Sequence, residues 1–269
     1  MPTYLGNTLI TNVQLGSVAI GEGVQYIIPN YVTQSATLIL DAGNPLSYTS
    51  GSTQWRNLAS GFNTTASIEN GMQNGYSASL GGYFNFPSGS TYLTNMGGPW
   101  STSVSFAGNF SFNMWFAINN FRPSDPTAAD WVGLFAKDSI GSNPGFGIIV
   151  NRDTSLLNRG QVRFYANGLT FDFPTKPTIT SGKWNNLQIT RSGSIITGYW
   201  DGSSIGTGSY SASLNDTNVN MTFGRGSYSG PTSFYKFEGN VSFLAAYSSS
   251  LSQGEIVQNY NALLPRYAS

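Results

Sequence analysis

The chain has 269 residues, 12 Lys+Arg against 12 Asp+Glu, and neither His nor Cys. Disulfides, zinc ribbons, thiol nucleophiles, imidazole proton shuttles and Ser-His-Asp triads are thereby excluded. Zero net charge with no basic block argues against a nucleic-acid footprint, and no apolar run is long enough to span a bilayer.

Residues 1–34 differ from the rest. Leu5-Gly6-Asn7-Thr8-Leu9-Ile10 aligns with Leu15-Gly16-Ser17-Val18-Ala19-Ile20, each reading Leu-Gly-[Asn/Ser]-x-x-Ile. Two copies are too few for a solenoid. Short strands with Gly turns fit better, and so small a unit cannot bury its own core. An arm that docks on other chains through Tyr4, Leu5, Ile10, Leu15 and Ile20 is the expectation, with a hairpin folded on its own domain as the alternative. The start, Met1-Pro2-Thr3-Tyr4, lacks the basic and apolar regions of a signal peptide.

From residue 35 onward the sequence predicts short strands separated by turns. Thr37–Asp41 is the first. Phe110–Ile118 alternates with period two, putting Phe110, Phe112, Met114, Phe116 and Ile118 on one face and Trp115 on the other. Trp131–Phe135, Gly147–Val150, Val162–Tyr165, Trp184–Arg191, Ile195–Trp200, Val219–Phe223 and Val241–Ala245 follow. Asn167-Gly168 and Asp201-Gly202 are turn dipeptides, the second with the composition of a type I′ hairpin. One helix is signalled near the end. Ser252-Gln253-Gly254-Glu255 is a capping box and Leu251 with Ile256 a hydrophobic staple; Pro265 is expected to end the helix.

Several of these segments together resemble a known family. Leu38-Ile39-Leu40-Asp41-Ala42-Gly43-Asn44-Pro45, Gln54-Trp55-Arg56-Asn57-Leu58, Lys183-Trp184-Asn185-Asn186-Leu187, Tyr199-Trp200-Asp201-Gly202, Phe223-Gly224-Arg225 and Phe237-Glu238-Gly239-Asn240-Val241 occur in the order of concanavalin A-like, laminin-G-like domains. Asn186 stands where many such domains carry His. The expected fold is all-β: a two-sheet antiparallel jelly-roll sandwich over 35–269, with an N-terminal β arm over 1–34 and one short C-terminal helix. The Asn/Gly/Ser-rich surface with N-terminal Leu-Gly repeats resembles tailed-phage virion proteins.

That resemblance implies a virion structural protein, a surface or tail appendage made in the host cytoplasm and carried on the virion surface. Its expected partners are other virion proteins through the arm, further copies of itself, and host-surface polysaccharide. The other readings are a soluble carbohydrate-binding module or lectin, and a glycan-active enzyme. Only 9% of residues are charged, against roughly 25% in soluble domains. Such a surface suits either an assembly or a carbohydrate-facing role. Glycosidases of this fold carry a Glu-x-Asp-x-x-Glu strand, and none of Glu22, Glu69, Glu238 and Glu255 sits in one, so no enzyme is expected. Sugar binding needs an exposed aromatic plate beside polar groups. Trp100 and Tyr228 lie in Gly-rich loops with Arg225 nearby, whereas Trp55, Trp115 and Trp184 sit in strand motifs and are assigned to packing. No cofactor is expected. Calcium, bound by many relatives, would find only the local pairs Asp138 with Asn143 and Asp216 with Asn218.

Overall fold

A computed structural model describes residues 4–5, 8–9, 17–20, 24–27, 29–62, 65–68, 75–86, 93–96, 106–121, 131–137, 146–154, 158–166, 169–211, 221–223, 225–227 and 234–268. In chain order the first strands are β1 (Tyr4–Leu5), β2 (Thr8–Leu9), β3 (Ser17–Ile20), β4 (Val24–Ile27), β5 (Ala36–Asp41), β6 (Gln54–Arg56) and β7 (Thr65–Ser67). Next come β8 (Tyr76–Ser77), β9 (Tyr83–Phe86), β10 (Leu93–Met96), β11 (Phe110–Ile118), β12 (Trp131–Lys137), β13 (Phe146–Asn151), β14 (Val162–Ala166) and β15 (Leu169–Asp172). The last are β16 (Trp184–Ser192), β17 (Ile195–Trp200), β18 (Ser203–Ser209), β19 (Met221–Phe223), β20 (Arg225–Ser227), β21 (Phe234–Lys236), β22 (Gly239–Tyr247) and the helix α1 (Gln253–Tyr267).

Two antiparallel sheets form the expected sandwich. One has six strands in the order β10-β19-β12-β13-β14-β15; the other has eight, β18-β17-β16-β11-β22-β9-β8, with β5 also paired to β22. The alternation in β11 is realised. Phe110, Phe112, Met114, Phe116 and Ile118 enter the core between the sheets, where they meet Phe135, Phe146, Ile148, Val150, Phe164 and Phe223. Phe112 lies 4.7 Å from Phe135 and 6.3 Å from Phe223, ring centre to ring centre, tying the layers together. The Asp201-Gly202 turn has φ of 49° and 76°, the doubly left-handed geometry of type I′, and closes Trp200 onto Ser203.

The opposite face of β11 is covered by α1. Trp115 stacks on Tyr267 at 4.6 Å and on Tyr260 at 5.6 Å, and Trp184 stacks on Tyr267 at 4.6 Å. The capping box forms as written: the Ser252 N–H donates to Glu255 Oε2 at 2.7 Å and the Glu255 N–H to Ser252 Oγ at 3.4 Å. The expected stop at Pro265 is corrected, because the helix runs on to Tyr267. A proline deletes one helical hydrogen bond. Here tertiary bonds hold the next two residues: Arg266 binds Asp41, and the Tyr267 hydroxyl donates to Ser242 Oγ at 2.6 Å.

In the first 34 residues, β1 pairs with β2 and β3 with β4 as antiparallel hairpins. The repeat therefore aligns β2 with β3, the second strand of one hairpin with the first strand of the next. Tyr4 and Leu5 form β1 and Ile20 ends β3; Ile10 and Leu15 lie outside the described residues. Tyr31 and Val32 are buried against α1 and β22, so the end of this segment packs with the body.

Candidate functional site

Outward-facing positions of the six-stranded sheet follow from strand alternation. In β13, Phe146, Ile148 and Val150 enter the inter-sheet core; in β14, Val162, Phe164 and Ala166 do. Ile149, Arg163 and Tyr165 therefore point away from it. Tyr165 lies flat across Gly147, where an added Cβ would come within 2.3 Å of the phenol oxygen. The β20–β21 hairpin packs on β12, and β20 reaches β13.

Beside this hairpin lies a cluster of aromatic and charged groups. Arg163 stands directly opposite Asp172 in the β14–β15 register. Its Nε and Nη2 donate to the two carboxylate oxygens of Asp172 at 2.5 and 2.9 Å, a fork-to-fork pair. The guanidinium carbon lies over the ring of Trp131, 4.3 Å from its centre. Trp131 begins β12 opposite Asn151, which ends β13. The pair is open to solvent, with side-chain exposures of 26% for Arg163 and 43% for Asp172. An aromatic ring, a guanidinium and a carboxylate thus share one accessible patch, offering an apolar surface, N–H donors and oxygen acceptors within a few ångströms of one another.

Neighbouring loops are braced by further charges. Arg152 and Glu238 form a pair at 2.9 Å with side-chain exposures of 3% each. Arg159 donates to the Asp153 carbonyl at 2.8 Å and to the Thr154 carbonyl, and its guanidinium lies 4.4 Å from the centre of the Phe121 ring. The Asp153 N–H donates to Asn151 Oδ1 at 2.8 Å. These bonds brace the described parts of the loop between β13 and β14, next to the patch.

Trp55, Trp115 and Trp184 are buried, as the strand motifs required. Trp100 and Tyr228 lie outside the described residues. Arg225 opens β20 opposite Lys236. Because β19 runs antiparallel to β12, from Lys137 toward Phe135, the continuation into β20 heads for the Trp131 end of β12. Asp138, Asn143, Asp216 and Asn218 lie outside the described residues, and among the described residues no group of three acidic side chains forms a metal cage.

Trp131, Arg163 and Asp172 were not singled out from the sequence. The signal was present in Asn167-Gly168, since counting outward from that turn sets Arg163 against Asp172. Trp131 reaches the pair only across β13, a contact that no local pattern encodes.

A family model for the concanavalin A-like lectin/glucanases superfamily, of the laminin-G type, matches residues 87–257. The chain belongs to this superfamily. No curated protein sequence matches this concanavalin A-like chain. Its fold is similar to the binding domain of botulinum neurotoxin DC in complex with SialylT, with a TM-score of 0.59 and 16% identity over 86% of this chain and 52% of that one. It is similar to the Ruminococcus gnavus IT-sialidase CBM40 bound to α2,3 sialyllactose, with a TM-score of 0.51 and 15% identity over 65% of this chain and 94% of that one. Trypanosoma rangeli sialidase aligns with a TM-score of 0.53 and 12% identity over 91% of this chain and 35% of that one. The chain thus spans about half of the neurotoxin structure and about a third of the sialidase. At such identities the likeness is one of fold, a lectin-like sandwich compatible with a non-enzymatic role.

Proposed function

We propose that this concanavalin A-like chain is a carbohydrate-binding adhesin, and that it binds glycan on the outer face of its six-stranded sheet. The observation that carries the reading is the solvent-open cluster of Trp131, Arg163 and Asp172. A pyranose has an apolar C–H face and a rim of hydroxyls, and the cluster supplies a counterpart for each. The sequence-derived residues Trp100, Arg225 and Tyr228 extend the same proposal, Arg225 through the course of β20 toward Trp131. Structural neighbours whose names include sialylated ligands agree with a glycan-directed use of the fold.

The setting we propose is the surface of a tailed-phage virion, as a fibre, receptor-binding or capsid-decorating component. Residues 1–34 would attach it to other virion proteins and to further copies of itself. Support comes from the charge-poor composition and from the N-terminal Leu-Gly repeats.

A glycan array with the full chain tests the site. Binding should fall about tenfold or more in Trp131→Ala, as for a central aromatic anchor, with stability nearly unchanged because the ring lies outside the core. An array without hits overturns the reading. For the setting, deletion of residues 1–28, which spares Tyr31 and Val32, should abolish incorporation into particles while the sandwich still folds. Normal incorporation of that truncation would remove the attachment role of the arm.

A further inference from the structure

The way Arg163 is engaged bears on which glycans the patch accepts, an argument that rests on the glycan-binding reading above. Recognition of a sugar carboxylate generally needs a guanidinium edge or another cation turned toward it. Here the Nε and Nη2 edge of Arg163 is bonded to both oxygens of Asp172. Its guanidinium carbon lies over the Trp131 ring. Strand register places Asp172 directly opposite Arg163, so its carboxylate stands beside any group that approaches the guanidinium. Two neighbouring arginines are engaged as well: Arg152 by Glu238, and Arg159 by two backbone carbonyls and the Phe121 ring. An incoming carboxylate would meet the negative charge of Asp172 a few ångströms away, in competition for one cation, and like charges so juxtaposed are costly.

An uncharged sugar faces no such conflict. Each carboxylate oxygen has a second lone pair beyond the one used by Arg163. Adjacent hydroxyls can donate to Asp172 while their own oxygens accept from guanidinium N–H groups. Built-in pairing then becomes an asset, because it holds donor and acceptor side by side at the spacing of a vicinal diol.

We infer that the Arg163–Asp172 pair makes the patch a reader of neutral vicinal hydroxyls and a filter against acidic sugars. Asp172 is the specificity-determining residue. This preference is opposite to that suggested by the sialylated ligands named for the structural neighbours.

The test compares glycans that differ only in an acidic group: lactose against α2,3-sialyllactose, and a glucan against its glucuronate counterpart, all presented to the full chain. The neutral member of each pair should bind about tenfold more strongly, the effect of roughly 1.4 kcal/mol. Asp172→Asn keeps the shape and removes the charge, and should raise the ratio of acidic to neutral binding by about the same factor. Wild-type preference for the acidic members overturns the filter while leaving glycan binding intact. So does an unchanged ratio in Asp172→Asn. Absence of binding to every member, neutral and acidic, overturns the underlying glycan-binding reading together with the filter.

Discussion

Among the described residues two Arg–Asp pairs are bidentate, one on the outer side of each sheet, and they differ in burial. Asp41 at the end of β5 receives Arg266 of α1 at 2.6 and 3.1 Å, with side-chain exposures of 0% and 10%. Arg163 and Asp172 have similar geometry at 26% and 43% exposure. The first pair is sealed beneath the helix. Arg266 is packed so closely that a Cβ on Gly81 would come within 2.6 Å of its Cδ. Asp41 also accepts from the Gly43 N–H at 2.9 Å, so its charge is fully answered. The second pair is open to solvent, on a sheet face that no helix covers among the described residues. Burial, not chemistry, separates a structural lock from a surface available to a ligand.

The sealed side is held by polar groups as much as by aromatics. Asn186 Nδ2 donates to Asn113 Oδ1 at 2.7 Å, and Gln188 Nε2 donates to Asn186 Oδ1 at 2.9 Å and to the Ile256 carbonyl at 2.8 Å. Asn259 Oδ1 accepts from the Val32 N–H at 2.8 Å, while its Nδ2 donates to the Tyr247 hydroxyl at 3.2 Å. The chain of amides joins β11, β16, α1 and the segment leading into β5. Asn186, at the position where His is common in similar domains, is a member of this network.

Breaking the sealed pair should give the largest effect. Arg266→Ala leaves a buried carboxylate without its cation, a loss of about 3–5 kcal/mol, read as a melting point lower by roughly 10 °C. Alkali attacks the same side. Burial raises the hydroxyl pKa values of Tyr31 and Tyr247, and that of Tyr267 from 10.0 to about 12. The fold favours the neutral phenols, so this stability is fully present below pH 10 and drains away as pH climbs toward 12. The loss is about 1.4 kcal/mol per pH unit for each tyrosine held neutral. Denaturant titrations between these limits should show it, and a flat profile would mean that the tyrosines are not sealed. Asn259→Leu, with the same count and branching of side-chain heavy atoms, strands the Val32 N–H and should cost about 1–3 kcal/mol. Arg163→Gln breaks the open pair and should cost no more than about 1 kcal/mol. A loss there as large as for Arg266→Ala would erase the distinction between the two regions.

Strands with their own alternation were legible. Phe110–Ile118 announces both of its faces, Ile195–Trp200 is found with the bounds that the sequence sets, and Ser252 with Glu255 starts the helix as the capping box demands. Weaker strands were missed. Leu169–Asp172 is short and largely exposed, so it carries little apolar pattern. Helical periodicity sets Ile256, Tyr260, Leu263 and Leu264 on one apolar face of α1, but Asn259 and Tyr267 are also buried, because partners on β16, β22 and the 30–34 segment satisfy their polar atoms.

Local order along the chain therefore determined the all-β class, the two-faced central strand, the type I′ turn and the capped helix, since each depends on neighbours within a few residues. Tertiary structure alone decided that the helix outlasts Pro265, that Asp41 is locked while Asp172 is open, and that Trp131 meets Arg163 across an intervening strand. Those outcomes depend on groups far apart in sequence, and on which charges folding removes from water.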